Sequence, residues 1–355
     1  MKTADKPAQE LAVYRRRDML FCVLLEDGQP AEVVLAAPGQ TFFRQNLYLG
    51  KVRQVTPALN GAFIDIGDSH DALLPLNEAP PGIKAGQTLC VQLRKLTAPG
   101  KGHRVSTRFE LPGLYAVWLL DGHHRRRSKL REFEPDERER LYRQDLERLE
   151  RFWQTLEQDM AGGPVPRLLY PLGEPCYIAL TSWVGPNLAR IRVAEPDLYE
   201  QVRALLAAQL PAALPLLHFQ PESGGYGLAD ILGLADLEEH LTRRKVWLDK
   251  GGFIVIDTTE ALTVIDVNSG KDTGGRSGQD LRLRTNLQAA AAVAAELRLR
   301  NTAGMIVIDF LRLASDDDNN QVDAALRRHL GRDRARCKCL GFTAMGLYEL
   351  VRTAR

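Results

Sequence analysis

Three short apolar runs in the last third of the chain each end in an aspartate: Ile254–Asp257, Val264–Asp266 and Ile306–Asp309. Each run has the length and the β-branched composition of a buried strand. Only residues 258–261 separate the first two runs, so we expect these strands to be antiparallel neighbours. The second and third runs are separated by a long loop and a helix of roughly residues 281–300, which is the mark of a parallel crossover. The spacing therefore predicts an α/β module with all three runs in one sheet.

The predicted strand directions bring two of the three aspartates to one edge of the sheet. Asp266 and Asp309 end parallel strands, where open α/β sheets place their sites, whereas Asp257 is expected roughly 15 Å from Asp266. Asn268 follows two residues after Asp266 and therefore points to the same side. Carboxylates on adjacent strands can share a hard cation such as Mg²⁺, which takes one or two of them and keeps water and phosphate as its other ligands. The alternative is that these aspartates only cap the loops that follow the strands.

The stretch of residues 46–108 is a second strand-rich segment. The predicted strands cover residues 47–55, 62–66, 72–76, 88–96 and 103–108, with glycines at the bends between them. Short strands at this density are typical of a small five-stranded barrel of the OB type.

One side chain of this predicted barrel is a candidate for contact with nucleic acid. Ala62 and Ile64 share one face of their strand, so Phe63 points the other way. An exposed aromatic ring is a surface on which bases stack, and Lys51 and Lys101 supply positive charge on nearby strands and loops. The alternative is that Phe63 packs beneath a loop.

The rest of the chain predicts simpler elements. An apolar hairpin covers residues 19–36, and the charged segment 121–160 has leucines and aromatic residues at helical spacing. Residues 176–181 have the character of a strand, and we expect helices around residues 197–210 and 229–245. The chain thus combines strand-rich, helical and α/β segments, which predicts several domains.

The composition excludes several classes of protein. The 355 residues include 47 Lys and Arg against 45 Asp and Glu, and 45% are hydrophobic, as in a soluble globular protein and unlike a disordered or fibrous chain. The five cysteines form no disulfide framework, and we find no targeting segment and no stretch long enough to cross a membrane, so we expect a cytoplasmic protein. Cys337 and Cys339 form an isolated Cys-x-Cys motif. Because a structural zinc site needs four ligands, zinc is not expected.

Several motifs of the sequence resemble those of the ribonuclease E/G family. The strongest matches are Ile265–Gly270, Arg284–Ala290 and Gly304–Phe310, and the ending Gly341–Leu350 also fits. Residues 46–76 resemble the S1 domain of this family. The resemblance covers the last third of the chain and the barrel segment, and it is faint between them.

The resemblance implies a multidomain fold with α+β and α/β parts. An S1 barrel of the OB-fold type would be inserted into an RNase H-like subdomain, and a DNase I-like α/β catalytic subdomain would follow. The implied limits are residues 1–43 and 165–242 for the two RNase H-like parts, 44–113 for the S1 domain, 114–164 for a charged helical insert in place of the family's 5′ sensor, and 243–355 for the catalytic subdomain.

The resemblance also implies an enzyme, a Mg²⁺-dependent endoribonuclease that hydrolyses single-stranded RNA and leaves 5′-phosphate and 3′-hydroxyl ends. Asp266 and Asp309 match the family's magnesium-binding aspartates, with Mn²⁺ as a substitute metal, and Asn268 matches the asparagine that supports the site. Phe63 matches an RNA-stacking aromatic residue of the S1 domain. The expected RNA-binding residues are Phe63, Lys51, Lys101 and Lys271. For Lys271 the alternative is a side chain that only faces solvent.

The sequence also departs from the family pattern. Residues 121–160 lack the Val-Arg-Thr of the family's pocket for an RNA 5′-monophosphate, so we expect 5′-end sensing to be absent or rebuilt. An aromatic residue that the family carries on the S1 surface is replaced within Asp71–Pro75 by an aliphatic one. No cysteine-bearing zinc link precedes Arg355, so we expect no zinc-linked dimer of the family type, whereas another oligomer remains open.

Two other functions remain open on the sequence. A non-catalytic RNA-binding protein would keep the scaffold and bind RNA without cutting it. A Mg²⁺-dependent phosphoesterase that acts on DNA or on a nucleotide is the weaker alternative. The hypotheses differ in whether single-stranded RNA is cleaved and in whether it is preferred to DNA.

Overall fold

A computed structural model of the protein describes residues 7–97, 101–120, 122–249, 251–270 and 278–353. The chain divides into two compact units, of which the first is Met1–Cys22 with Val34–Glu222 and the second is Val23–Val33 with Ser223–Arg355.

The elements are numbered in chain order. The strands are β1 (Gln9–Arg16), β2 (Met19–Glu26), β3 (Gln29–Ala36), β4 (Leu47–Thr56), β5 (Gly61–Asp65), β6 (Ala72–Pro75), β7 (Thr88–Lys95), β8 (Arg104–Ser106), β9 (Glu110–Pro112), β10 (Ala116–Leu119), β11 (His124–Arg126), β12 (Arg167–Tyr170), β13 (Leu188–Val193), β14 (Leu217–Phe219), β15 (Lys245–Trp247), β16 (Phe253–Thr258), β17 (Leu262–Asn268), β18 (Gly304–Asp309), β19 (Cys337–Phe342) and β20 (Tyr348–Arg352). The α-helices are α1 (Pro135–Met160), α2 (Pro175–Trp183), α3 (Pro196–Gln209), α4 (Leu228–Ile231), α5 (Leu237–Thr242), α6 (Gly278–Leu299) and α7 (Asp316–Leu330).

The N-terminal hairpin belongs to a larger sheet than the sequence predicts. β2 and β3 form the predicted hairpin, and the sheet has the order β14-β13-β1-β2-β3. β1 runs parallel to β13, and β13 runs parallel to β14. These pairings join strands that lie far apart in the sequence, so the periodicity of a single segment cannot reveal them.

The predicted five-stranded barrel is formed by β4 to β8. β4 pairs with β5, β5 with β6, β6 with β8 and β8 with β7, and β7 pairs back to β4, which closes the barrel. Ala62, Ile64, Val91 and Leu93 are fully buried in its core. The alternation seen in the sequence therefore marks the face that turns into the barrel. A closed barrel of this kind is consistent with an S1 domain of the OB-fold type.

The charged segment of the first unit forms a long helix, as its spacing predicts. α1 buries Tyr142, Leu149 and Leu156 in a hydrophobic core that also contains Leu111 and Ala116. Its remaining faces are polar, so the burial of this apolar stripe holds the helix in place. The small sheet β11-β10-β9, which the sequence does not predict, packs against the same helix.

Two predictions for the middle of the chain are wrong. Residues 176–181 lie in helix α2 and not in a strand. A short apolar run that is buried on every side does not reveal its period, and Pro175 favours a helix because its φ is already helical. The helix expected over residues 229–245 is divided into α4 and α5 because Gly233 adopts a φ of 67°, and strand β15 follows.

The second unit contains the predicted α/β sheet, with the strand order β15-β16-β17-β18-β20-β19. β16 and β17 are antiparallel and β17 and β18 are parallel, as their connections predict. α6 and α7 pack on one face, where Ile265 and Ile308 are fully buried. The opposite face, which we call the open face, presents Val264, Asp266 and Asp309 to solvent. Edge strand β19 is not predicted by the sequence.

A buried ion-pair network lies near the end of α6 in the second unit. Arg298 donates from Nε to Glu32 and from both terminal nitrogens to Glu26, each over 2.8 Å. All three side chains are largely shielded from water, and the two carboxylates compensate the charge of the guanidinium. The network therefore fixes the end of this helix within its unit.

A second polar network surrounds Glu296 on the same helix. Glu296 accepts hydrogen bonds from Nε2 of His240 at 2.9 Å and from Nε of Arg300 at 2.6 Å. Burial alone raises the pKa of the Glu296 carboxyl, but the His240 hydrogen bond and the charge of Arg300 together lower this pKa below its ordinary value of 4.5. The ionised form of Glu296 is thus the form that the fold favours.

The finer architecture implied by the resemblance stays a prediction. The mixed α/β organisation with a closed barrel is present, whereas the RNase H-like and DNase I-like assignments and their limits are still predictions from the resemblance.

None of the helices in the described part of the chain combines the length and the apolarity that a bilayer-spanning segment needs.

Candidate active site

Asp266 and Asp309 lie side by side on the open face of the second unit. They are Cα partners on the parallel strands β17 and β18, and both are exposed. The residues that alternate with them, Ile265, Val267 and Ile308, are buried against the helices. Neighbouring strands are about 4.8 Å apart, so the two carboxylates project from one face close enough to share a cation. The connection lengths in the sequence predict this juxtaposition.

Asp257 lies nearer to this pair than the strand lengths predict. Its Cα partner is Val264, and Asp266 is paired with Val255. Two residues along the strand and one strand across correspond to roughly 8 Å between the Cα atoms of Asp257 and Asp266, and not 15 Å. The difference arises from the register, because the strands stay paired as far as Thr258 and Thr263, which sets Asp257 opposite Val264 and not opposite the start of β17. The Asp257 carboxylate forms an ion pair with Arg244.

Asn268 holds the carboxylate of Asp266. Its Nδ2 donates a hydrogen bond of 2.7 Å to Oδ2 of Asp266, and the side chain is partly exposed on the same face. This bond fixes the orientation of the carboxylate and leaves its other oxygen for a ligand. The structure thus brings together the three residues Asp266, Asp309 and Asn268.

A buried amide on α6 fixes the chain that follows Asp309. Asn286 has no exposed surface, its Nδ2 donates to the carbonyl of Leu311 over 2.8 Å, and its Oδ1 accepts from the Leu311 nitrogen over 3.0 Å. Because Leu311 follows two residues after Asp309, these bonds hold the strand end that carries the carboxylate. Sequence reasoning did not single out Asn286. The sequence signal that could have identified Asn286 is a single amide side chain on a helix face that is otherwise rich in buried alanines and leucines.

Two glycines let the turn before β16 approach the end of β17. At Gly252, whose φ is 88°, a Cβ atom would lie 2.6 Å from the carbonyl oxygen of Asn268. At Gly270, a Cβ atom would lie 2.7 Å from the Gly252 nitrogen. A side chain at either position would therefore displace backbone beside the carboxylates. Lys271, in the loop 271–277, lies outside the described residues.

The donor set on the open face fits a hard cation. Asp266, Asp309 and Asn268 offer carboxylate and amide oxygens, which are the ligands that Mg²⁺ takes together with water. In the described residues no group of three or more His, Cys, Asp or Glu is arranged to hold a metal. Cys337 and Cys339 on β19 pack against the hydrophobic core of the second unit.

Phe63 lies on the outer side of β5 in the first unit. Its neighbours Ala62 and Ile64 are fully buried in the barrel core, whereas Phe63 is partly exposed. It is paired with Leu73 on β6, and Leu73 is paired with Arg104 on β8. The outer side of β5 and β6 therefore presents one aromatic ring, that of Phe63, beside the aliphatic side chain of Leu73. Leu73 lies within Asp71–Pro75, where the sequence carries an aliphatic residue in place of the family's aromatic one.

The predicted cations Lys51 and Lys101 differ from the neighbouring Arg53 in their surroundings. Lys51 on β4 and Lys101 in the loop before β8 are exposed. Arg53 forms an ion pair with Asp65, so its charge is compensated. The backbone at Lys101 is held by Thr97, whose hydroxyl donates to the Lys101 carbonyl over 2.7 Å.

Comparisons with known proteins agree with the motifs. Residues 130–355 match the profile of the Ribonuclease E/G family. Ribonuclease G of Haemophilus influenzae is 29% identical over 378 aligned positions, which cover 93% of this chain and 76% of that protein. Ribonuclease G of Escherichia coli is 30% identical over 86% of this chain and 72% of its own length. Ribonuclease E of Escherichia coli is 29% identical over 93% of this chain and 35% of its own length.

The matched range contains the residues that the geometry brings together on the open face. It includes Asp266, Asn268, Asp309 and also Asn286, and it extends over more than half of the chain. The relatives align with most of the remainder as well. The resemblance noted from short motifs is thereby confirmed, and the chain belongs to the ribonuclease E/G family.

Proposed function

We propose that this chain is a Mg²⁺-dependent endoribonuclease that hydrolyses single-stranded RNA and leaves 5′-phosphate and 3′-hydroxyl ends. The observation that carries the proposal is the register of β17 and β18, which sets Asp266 opposite Asp309 on an exposed face. The hydrogen bond from Asn268 to Asp266 supports it. The relatives named Ribonuclease G and Ribonuclease E support RNA as the substrate.

In this proposal the carboxylates of Asp266 and Asp309 hold the magnesium ion. When bound, the ion would supply Lewis-acid chemistry to the hydrolysis of the phosphodiester. Hydrolysis joins the water oxygen to phosphorus and breaks the bond to the 3′-oxygen, which takes up a proton. Asn268 orients Asp266, and Asn286 holds the strand end that carries Asp309.

The barrel supplies affinity for the RNA strand in this proposal. Phe63 stacks on a base, which contributes about 1–3 kcal/mol per base. Lys51 and Lys101 attract the phosphates, so binding should weaken as the salt concentration rises. Lys271 keeps its predicted role as an RNA-binding residue.

The test of the proposal is cleavage of a fluorescently labelled single-stranded RNA by the full chain. We expect cutting with Mg²⁺ and none with EDTA. Asp309→Asn should bind RNA but cut it more slowly by a factor on the order of 100 or more, because several kcal/mol of charge stabilisation are lost. The matched control is Asp257→Asn, since this aspartate lies on the same face but is paired with Arg244. Equal cutting by Asp309→Asn and the wild type would remove the basis of the proposal.

The other two functions are outcomes of the same assay. RNA binding that persists in EDTA, with no product at any Mg²⁺ concentration, would identify a non-catalytic RNA-binding protein. A preference for DNA over an RNA of matched sequence would identify the phosphoesterase. Analysis of the product ends for 5′-phosphate and 3′-hydroxyl tests the end chemistry independently of the rate.

We also propose that sensing of an RNA 5′-monophosphate is absent or rebuilt. Among the basic residues 123–131, Nη2 of Arg125 lies 2.7 Å from Oε2 of Glu110, and Nη2 of Arg126 lies 2.6 Å from Oε2 of Glu139. These pairings compensate charge that a phosphate would otherwise meet. Substrates with a 5′-phosphate and with a 5′-hydroxyl should then be cut at similar rates. A strong preference for the phosphorylated substrate would show that a sensor exists.

A further inference from the structure

A second aromatic surface lies on the open face of the second unit. Trp247, the last residue of β15, is 66% exposed. It is paired with Phe253 on β16, and the ring centroids are 5.3 Å apart. The Nζ atom of Lys245 lies 3.8 Å from the centroid of the Trp247 ring and 3.6 Å from that of the Phe253 ring, within the range of cation–π attraction. We call Lys245, Trp247 and Phe253 the aromatic patch.

The aromatic patch adjoins the candidate active site. Phe253 is the Cα partner of Asn268, and Val255, two residues further, is the partner of Asp266. With about 4.8 Å between neighbouring strands, β15 lies roughly 10 Å from β17. A single extended RNA strand that crosses the open face can therefore contact both places.

Packing within the second unit does not account for Trp247. The alternate residues Val246 and Ile254 contact the hydrophobic core, whereas Trp247 points away from it. A largely exposed indole keeps a wide apolar surface in water, which a smaller side chain at the end of a strand would avoid. In the described part of the chain, the ammonium of Lys245 has the two rings, and no carboxylate, within contact distance. Its positive charge is therefore not compensated.

We propose that the aromatic patch is a stacking subsite for a base of the RNA strand that flanks the scissile phosphate. Trp247 stacks on the base, and Lys245 contacts an adjacent phosphate. The inference rests on the proposed function. The uncompensated charge beside the rings complements a polyanion that also carries π-faces, which favours RNA over an apolar protein surface. Because every base has a π-face, this subsite tolerates different sequences.

The first experiment measures the Kd of a short single-stranded RNA in the Asp309→Asn background, so that cleavage does not interfere. Adding Trp247→Leu should raise the Kd about tenfold or more, and Trp247→Tyr should keep most of the affinity. The matched control is Tyr226→Leu, because Tyr226 is 65% exposed in the same unit but lies outside the sheet. A loss of affinity with Tyr226→Leu as large as with Trp247→Leu would overturn the assignment.

A second variant tests the phosphate contact without removing a ring. Lys245→Gln should lower the slope of log Kd against log salt concentration by about 0.7, which is the value for one phosphate contact to a single strand. An unchanged slope would contradict a contact between Lys245 and phosphate. Because Lys245→Gln keeps both aromatic rings, it also tests the subsite if Trp247→Leu does not fold.

Abasic substitution along the RNA locates the stacked base. At one position of the RNA, loss of the base should weaken binding to the Asp309→Asn protein. The same loss should have little further effect on the Asp309→Asn/Trp247→Leu protein, because a double-mutant cycle shows such coupling for two groups in contact. Equal abasic penalties in both proteins at every position would overturn the subsite.

These measurements separate the subsite from the proposed function. Metal-dependent RNA cleavage by the wild type, together with unchanged binding by the Trp247 and Lys245 variants, would overturn the subsite alone. Absence of both binding and cleavage in the wild type would overturn both. Self-association of the wild type that Trp247→Leu abolishes in analytical ultracentrifugation, with RNA affinity unchanged, would assign the aromatic patch to a contact between copies and overturn the subsite.

Discussion

Replacing Asn286 by alanine should destabilise the second unit and slow cleavage together. The substitution removes both hydrogen bonds to Leu311 and leaves the N–H and C=O groups of that residue without their partner. A net hydrogen bond contributes about 0.5–1.5 kcal/mol, and a buried polar group left without a partner costs about 1–3 kcal/mol. Leu311 is half-buried, so water recovers part of the loss. We therefore expect the free energy of unfolding to fall by about 2–4 kcal/mol.

Urea unfolding followed by circular dichroism measures this loss. Asn320→Ala is the control, because Asn320 is an exposed asparagine on α7, and its free energy of unfolding should change by less than about 0.5 kcal/mol. Under conditions where Asn286→Ala is folded, its kcat on single-stranded RNA should fall about 10- to 100-fold with a similar KM, since the Asp309 carboxylate is misplaced. Wild-type values of both the unfolding free energy and kcat would refute the view that Asn286 holds the end of β18.

Four further predictions concern stability, affinity and rate. Glu32→Gln should lower the free energy of unfolding by about 1.5–3 kcal/mol, because a buried hydrogen bond to a charged group is weakened; urea unfolding measures it. The pKa of Glu296 is lowered in the folded protein, so its ionised form stabilises the fold above pH 4.5, and this contribution disappears as the pH falls through the lowered value. The stability advantage of the wild type over Glu296→Gln should accordingly be largest at neutral pH and shrink in acid, and an advantage that grows in acid would contradict the assignment. Phe63→Leu should raise the Kd for single-stranded RNA about tenfold in a fluorescence anisotropy titration. Gly252→Ala should reduce kcat, because its Cβ would displace the carbonyl of Asn268, whereas an alanine at Gly225, where a Cβ meets no neighbour, should leave kcat unchanged.

The strand directions near the candidate site were predictable because connection lengths constrain them. A tight turn permits only antiparallel neighbours for β16 and β17, and a long connection with a helix indicates the parallel pairing of β17 and β18. Asp266 and Asp309 are therefore brought together by a rule that uses only distances along the chain. The same rule left the register between β16 and β17 open, so the position of Asp257 was misjudged.

The features that were missed depend on tertiary contacts. Nothing in the sequence around Asn286 reveals that its amide meets the backbone of Leu311, 25 residues away. Helix α2 was taken for a strand because its residues are buried on every side, so the hydrophobic pattern has no period to read. Edge strand β19 is ordered by its pairing with β20, and its sequence contains a glycine and no β-branched residue, so its own strand propensity is weak.

The one-sided cover of the second unit's sheet has a consequence for which substitutions this chain can accept. Truncating a core residue such as Ile265 costs about 2–5 kcal/mol, so the face under the helices is constrained by folding. On the open face, Val264 and Met305 are 38% and 54% exposed, and exchanging such residues costs little stability. Selection can therefore alter this face one residue at a time while the fold stays intact. A mutant library confined to the open face should yield mostly folded proteins, which makes this sheet a practical scaffold for directed evolution.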